Sequence, residues 1–490
     1  MWFNIFDNWS VTHSPRLIRT AYRETLQAGK DGTTSVASYR NAAMTELTDL
    51  TQQILDAARR AGADASDAIA VQGTSISIDV RAGQLEKAER SEGVDIGLRV
   101  LLGQRQACVS SSDSRPAAIA MMAERAVAMA REAPEDPTAG LADPAQLARD
   151  TDSSRLELCD PTDEPDPTRL QDDAMRAEAA AKANPGISQV SETSAGYSRR
   201  HIHIAQSNGF SGGYARSDSG LSCVAISGTG TAMERDYDYD TRIFQADMRA
   251  PEEIGRIAAE RAVERAGSRR PKTGAFPVLF DERVASSLIG HLVQAINGSA
   301  IARGASFLRN ALGDQILPDG MSLIEDPHRP RAFASKLFDA EGLPTQRRAL
   351  IGNGTLTGWT LDLATGRKLG LPSTANAGRG TSAPPHPSVT NLALTQGSAT
   401  RDDLIAQMGT GLLVTSMIGS TINPNTGDYS RGAAGFWVQN GAITYPVNEC
   451  TVAGNLRDMW RTMIAANDAR PHLSRVVPSL LVEGLTLAGD

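Results

Sequence analysis

His201 and His203 form the one close pair among the seven histidines of this chain. On a strand, residues i and i+2 share a face, so an H-x-H pair could supply two ligands to a zinc ion. No third Cys, His or carboxylate follows at short spacing, and the expected place of the pair is a solvated face opposite a buried Ile202/Ile204 face. Asp236, Asp238 and Asp240 alternate with Tyr237 and Tyr239. A calcium loop needs a glycine turn and a distal bidentate Glu, and both are missing at the required spacing. An exposed strand end or a domain edge is expected instead. Cys450 lies in the alternating run VNECTVAG. A reactive thiol needs a nearby cation, which Arg457 or His472 could supply, but a buried inert thiol is expected. No G-x-S-x-G elbow is present. The glycine turns Gly352-Asn353-Gly354 and Gly378-Arg379-Gly380 do not link a strand to a helix as a phosphate cradle must.

The segment Val284 to Arg303 carries the most pointed negative evidence. Its period places Val284, Leu288, Leu292 and Ile296 on one face of a helix. A zinc-protease helix sets two imidazoles on one metal and a Glu against the bound water. This segment has a single histidine, His291, and no Glu. One imidazole does not hold catalytic zinc, and no carboxylate is placed to act as general base.

The elements around these residues read as α+β. Residues 1–43 have early apolar residues without sustained period and a small, polar stretch; they are read as an extra N-terminal segment, with Met44 as the natural start. From Met44, Leu47, Leu50, Ile54, Leu55 and Ala58 fall on one helical face, and Gly62 stops the helix. Alternating segments follow around Ser75–Leu85, Val94–Gly103 and Gln104–Ser112, with turns at Gly83 and Gly103. Asp113 or Ser114 is expected to cap the next helix, with Pro116 in its first turn. After a proline-rich connection, helix, strands and helix recur up to Gly267. Residues 44–267 therefore form an N-terminal layered α/β domain with a mostly antiparallel sheet. Residues 274–490 form a β-rich domain, barrel- or sandwich-like, with long loops such as Thr374 to Ser388.

Of the 490 residues, 41% are apolar and 22% charged, with a net charge of −8. That is the composition of a globular protein with a sizeable core. No Lys/Arg cluster offers the basic face that direct nucleic-acid binding needs. No apolar run reaches the roughly 18 residues of a membrane span, and the polar N-terminus is not expected to be a secretory signal. Cys108, Cys159, Cys223 and Cys450 contain no close pair, which points to a reducing cytoplasm.

The stretch Asp428 to Trp460 fits a strand, a tight turn at Asn440-Gly441, a second strand and a capped helix. Its runs TGDYSRGAAGFWVQNG and TVAGNLRDMW strongly resemble the C-terminal signature of the TldD/PmbA family, specifically the PmbA (TldE) branch. Further matching runs are Gly290 to Leu308, Phe338 to Arg348, Gly366 to Gly378 and Met408 to Thr415, and the resemblance extends over residues 44–490. In the TldD subunit this family carries HExxxH and a cysteine ligand. Aligned on the Asn297-Gly298 turn, the first His falls at Ile289, the Glu at Gly290 and the second His at Gln294. His291 is out of register with either ligand position.

The resemblance thus implies a non-catalytic, zinc-free subunit of a heteromeric metalloprotease. A TldD-like partner would hold zinc, and small or unfolded peptides would be the substrates. Any effect on DNA gyrase would be indirect, through such peptides. A homodimer is possible for the isolated chain. The competing readings are a self-sufficient peptidase working through Cys450 or the H-x-H pair, and a homo-oligomeric peptide-binding protein.

Overall fold

The computed structural model describes residues 36–489. The reading of residues 1–43 as an extra segment lies almost wholly outside them. Helix α1 (Val36–Ala61) runs through Met44 without a break, so Met44 does not open it. Its apolar face is buried as the periodicity requires, with Leu47, Ile54 and Ala58 in the core and Gly62 at positive φ just beyond the end.

Strands β1 (Ala65–Arg81), β2 (Gln84–Leu102), β3 (Arg105–Ser111), β4 (Ile187–Gln206), β5 (Ser211–Ser227) and β6 (Glu234–Arg242) form one antiparallel sheet in the order β3-β2-β1-β4-β5-β6. Gly83 and Gly103 take positive φ in the two hairpin turns, as expected. Helices α1 and α2 (Pro116–Glu132) cover the β1–β3 side; α3 (Pro167–Lys182) and α4 (Pro251–Glu264) cover the β4–β6 side. One correction to an expected boundary has a local cause. The residue before a proline is held extended, so Arg115, not Asp113 or Ser114, is the N-cap residue of α2. The Asp113 carboxylate is engaged by the Arg115 backbone N–H and guanidinium instead. Between β5 and β6 the chain turns through Gly228 and Gly230, both at positive φ.

The expected isoleucine face of β4 is present, but the solvated-face half of the H-x-H expectation is overturned at His203, which is buried, whereas His201 is half-buried. Ile202 and Ile204 pack with Phe210 and Phe338 on one side. On the other, His203 is 3% exposed, its Nδ1 lies 2.8 Å from Thr51 Oγ1 of α1 and its Nε2 3.3 Å from Ser211 Oγ. Burial pushes the His203 pKa down to about 4. As pH falls through the ordinary value near 6.5, the unfolded chain takes up a proton that the folded one refuses, so stability drops between about 6.5 and 4. His203→Gln should remove on the order of 2 kcal/mol of the stability loss between pH 6.5 and 5. Urea denaturation at both pH values checks this, and identical losses in both proteins would refute it.

The C-terminal region resolves the barrel-or-sandwich alternative in favour of a barrel. Strand β7 (Gly274–Phe280) comes first. Five short strands, β8 (Leu323–Glu325), β9 (Arg348–Gly352), β10 (Thr355–Leu356), β13 (Leu392–Leu394) and β18 (Arg475–Val476), make a side sheet; β11 (Ala377–Gly378) pairs with β12 (His386–Pro387). The barrel strands β14 (Gly411–Ile422), β15 (Asp428–Gln439) and β16 (Ala442–Asn455) form a meander, and β19 (Leu480–Ala488), flanked by β17 (Ile464–Ala465), joins β16 to β7. Since β14 also pairs with β7, the five long strands close on themselves, which removes their free edges. Asn440 and Gly441 both take positive φ, as a two-residue hairpin turn of type I′ demands. Asn455 caps the short helix that follows, with its side chain accepting from the Arg457 N–H.

Candidate functional site: a helix at the position of a metal centre

Helix α5 (Glu282–Ala295) packs on the barrel through Val284, Leu288, Ile289 and Leu292, all buried in the largest hydrophobic cluster. The single helix expected over 284–303 is two. It stops at Ile296, and Asn297 caps a new turn, α6 (Gly298–Ala302), by accepting from the Ser299 N–H at 2.9 Å. The break is fixed by tertiary contact. Asn297 Nδ2 donates to the Pro387 carbonyl at 2.9 Å, and a Cβ at Gly298 would come within 2.7 Å of the Thr360 carbonyl.

On α5, Ile289 is 0% exposed within the core, whereas Gln294 is exposed. Gly290 has no side chain, and a Cβ there would lie 3.3 Å from Arg475 Nη1, so the position faces a cation. These residues do not fit a zinc ion: two have no donor atom, and the third points elsewhere on the helix. His291 stacks edge-on against Tyr429, with ring centroids 5.9 Å apart. Its Nε2 is buried without a hydrogen-bond partner among the described residues. Burial first, and then Arg431, push its pKa down to about 4, which keeps the imidazole neutral.

A cavity of about 790 Å³ opens at the N-terminal end of α5, between an ionic floor (Asp281, Arg283, Arg401) and an apolar wall (Leu413, Phe436, Tyr445). Asp281 caps α5 and is bonded by Arg283 Nε at 3.1 Å and Arg401 Nη1 at 3.2 Å. Burial alone would raise its pKa, but Arg283, the backbone N–H and Arg401 hold it below the usual carboxylate range. Arg283 Nη1 also donates to Asp236 at 3.0 Å, which corrects the expectation of an exposed acidic strand end. Asp236, Asp238 and Asp240 are 3–4% exposed and paired with arginines: Asp236 with Arg265 and Arg283, Asp238 with Arg249 and Arg261, Asp240 with Arg242. Arg283, which belongs to the segment after β7, thus ties Asp236 of β6 to α5.

Cys450 sits in β16, 5% exposed, its thiol donating to the Ala433 carbonyl at 3.2 Å. Burial pushes its pKa up to about 11, the property of an inert thiol. The cations proposed for it are engaged elsewhere: Arg457 donates to the Phe307 carbonyl, and His472 lies 3.9 Å from Asp240. A second buried ionic cluster, in which Arg99 of β2 and Arg379 of a C-terminal loop meet Asp67 of β1, was missed by sequence reasoning. Its members lie far apart in the chain: pairing of β1 with β2 sets Asp67 opposite Arg99, and the C-terminal loop brings in Arg379, so no local spacing could reveal it.

Comparison with known proteins gives the family. Three family models cover residues 66–130, 160–266 and 273–489, described as domain 1, the central domain and the C-terminal domain of PmbA/TldA metallopeptidases. The Escherichia coli O157:H7 protein named Metalloprotease PmbA is 37% identical over 431 residues, 87% of this chain and 93% of that one. A Bacteroides thetaiotaomicron crystal structure, described as a candidate modulator of DNA gyrase, superimposes with a TM-score of 0.84 at 27% identity, covering 91% of this chain and 99% of that one. TldE from Thermococcus kodakarensis shares the fold, with a TM-score of 0.79 at 18% identity over 90% of this chain and all of that one. The chain belongs to the PmbA/TldD metalloprotease family, in its PmbA/TldE branch.

Proposed function

We propose that this chain is the non-catalytic, zinc-free subunit of a two-subunit metalloprotease that degrades or processes small or unfolded peptides, with zinc and hydrolysis supplied by a TldD-like partner. The observation that carries this reading is the state of α5: the first ligand position is a core isoleucine with no exposed surface, the base position is a glycine facing Arg475, and the second ligand position is an exposed glutamine. A self-sufficient peptidase using Cys450 or the H-x-H pair is disfavoured, because the thiol is buried and protonated and His203 is sealed between Thr51 and Ser211. The site of action is the cytoplasm, where four free cysteines, none disulfide-bonded, would remain reduced. No helix among the described residues is long and apolar enough to cross a membrane.

In this assembly the chain contributes walls. The cavity beside α5 combines apolar surface with paired charges and has the size of ordinary small-ligand pockets. It could accept a peptide side chain. The test is purification of the tagged chain with and without its TldD-like subunit, measuring zinc and peptidase activity on each component. Zinc and turnover are expected only where the TldD-like subunit is present; one firmly held zinc with turnover by the isolated chain refutes the proposal. His291→Ala should leave partner-dependent peptidase activity within about 2-fold of wild type, because a residue outside the reacting groups changes kcat/KM little. A 100-fold loss with normal assembly would restore His291 to the site.

A further inference from the structure

A second cavity, of about 440 Å³, lies where three segments meet. The loop after α6 supplies Phe307, Arg309, Asn310 and Asp314, the β14–β15 turn supplies Asn425, and the short helix after β16 supplies Arg457. Main-chain bonds hold these walls together. Phe307 N–H donates to the Pro424 carbonyl at 2.8 Å, and Leu456 N–H to the Gly427 carbonyl at 2.9 Å. Ser306 Oγ donates at 2.6 Å to the carbonyl of Ala295, the last residue of α5. A Cβ at Gly427 would lie 3.1 Å from the Phe307 ring, so the turn sits directly on that ring. The cavity is therefore built into the barrel end.

Its polar groups are left available. Among the described residues neither Arg309 nor Arg457 forms an ion pair; each spends one nitrogen on a backbone carbonyl, Arg309 Nη1 on Gly304 at 3.0 Å and Arg457 Nη2 on Phe307. A guanidinium has five N–H donors, so both keep a fork for a ligand. Arg457 is further held over the Phe307 ring, 5.5 Å from its centroid. Asp314 is the one carboxylate of the lining, so cations outnumber it. The Asn310 and Asn425 carboxamides have no hydrogen-bond partner among the described residues. We propose that this cavity binds the C-terminal carboxylate of a peptide, with Arg309 and Arg457 donating to its oxygens and the two carboxamides taking the adjoining main-chain N–H and C=O groups. Guanidinium forks match the planar carboxylate. Phosphate would use the arginines but brings no N–H for a carboxamide oxygen, whereas a chain terminus uses both. A Glu side chain holds its carboxylate on a longer arm from the nearest main-chain N–H. The volume suits the end of a chain, not its length. Recognition through main-chain groups reads no side chain, which suits a protein that handles varied small peptides.

The ligand class rests on the peptide-processing reading above, but the test uses the full chain alone, without partner or zinc, so failure here leaves the zinc and turnover measurements of that reading untouched. N-acetylated tetra-alanine is titrated into the chain at low ionic strength and binding is followed by calorimetry. The free acid should bind about 10-fold more tightly than its C-terminal amide, the worth of a charge-assisted hydrogen-bond pair. Arg309→Gln should abolish that preference at an unchanged thermal midpoint, because the Arg309 side chain is exposed. Arg457→Gln should abolish it too; since Arg457 also holds the Phe307 carbonyl, Arg309→Gln decides alone if that variant does not fold. Equal affinity for acid and amide, or a preference that survives in Arg309→Gln, overturns the proposal. So does an amidated acetyl peptide with one internal Glu that binds as tightly as the free acid, which would mark a side-chain carboxylate site. Inorganic phosphate that displaces the free acid at equal concentration also overturns it, by showing a general anion site.

Discussion

Gly435→Val should lower the thermal midpoint by more than about 6 °C and the unfolding free energy by about 3 kcal/mol or more. The cause is a backbone approach in the barrel. A Cβ at Gly435 would lie 1.9 Å from the Leu413 carbonyl oxygen and 2.9 Å from its carbon, on the neighbouring strand β14. Backbone cannot swing aside as a side chain can, so the strand pair must separate. It would do so beside the register irregularities that interrupt both β14–β15 and β15–β16 near this residue. The flanking aromatics tighten the site: Trp437 is 3% exposed, packed edge-on against Phe276 at 5.0 Å and stacked with Tyr445 at 6.3 Å. Differential scanning calorimetry decides the matter, and an unchanged midpoint would show that the barrel can open there without cost. Gly432 is a control on the same strand. A Cβ there meets nothing nearer than 3.4 Å, so Gly432→Ala should be tolerated.

Arg283→Met should destabilise by about 3 kcal/mol, because it strands charges rather than volume. Arg283 is 8% exposed by side chain and joins Asp236 of the N-terminal sheet to Asp281 at the start of α5. Removing it leaves each carboxylate with one remaining cation, Arg265 at 3.5 Å for Asp236 and Arg401 at 3.2 Å for Asp281. Replacing both partners should cost less than replacing one, so Asp236→Asn in the Arg283→Met background should recover more than half of the loss. The pH profile carries a second signature. Asp281 has its pKa depressed in the folded state, so its contribution is present above the ordinary carboxylate value and lost as pH falls through the lower folded value. In wild type this part of stability disappears only in acid; in Arg283→Met it should already be missing at pH 7. Guanidinium denaturation across that range measures both, and a loss below about 1 kcal/mol at neutral pH would show that the arginine is dispensable.

Where local period sufficed, the chain was legible. The alternating runs of β1–β3, the helical faces of α1 and α5, the Asn440-Gly441 hairpin and the buried thiol of Cys450 were all visible in residue spacing, because each depends on neighbours one, two or four positions away. What was misread at the candidate sites failed for one reason. His203 looked solvent-facing because Ile202 and Ile204 supply an apolar face on the other side, yet α1 brings Thr51 across 152 positions of sequence to cover it. Asp236 to Asp240 looked exposed because three acids on one strand face seldom go inside; they do so here because arginines arrive from α4, from α5 and from the strand's own end. The helix expected across Ile296 is broken by contacts with Thr360 and Pro387, which no window around Asn297 contains.

By itself the sequence determined the family, the α+β class and the residue types at the three motif positions, since these are read from identity and order. Only the tertiary structure decided that the C-terminal strands close into a barrel, that the acidic ladder is buried, and that Ile289 and Gln294 diverge on α5. Closure, burial and convergence depend on contacts between residues far apart in the chain, and a linear pattern does not encode which of them meet.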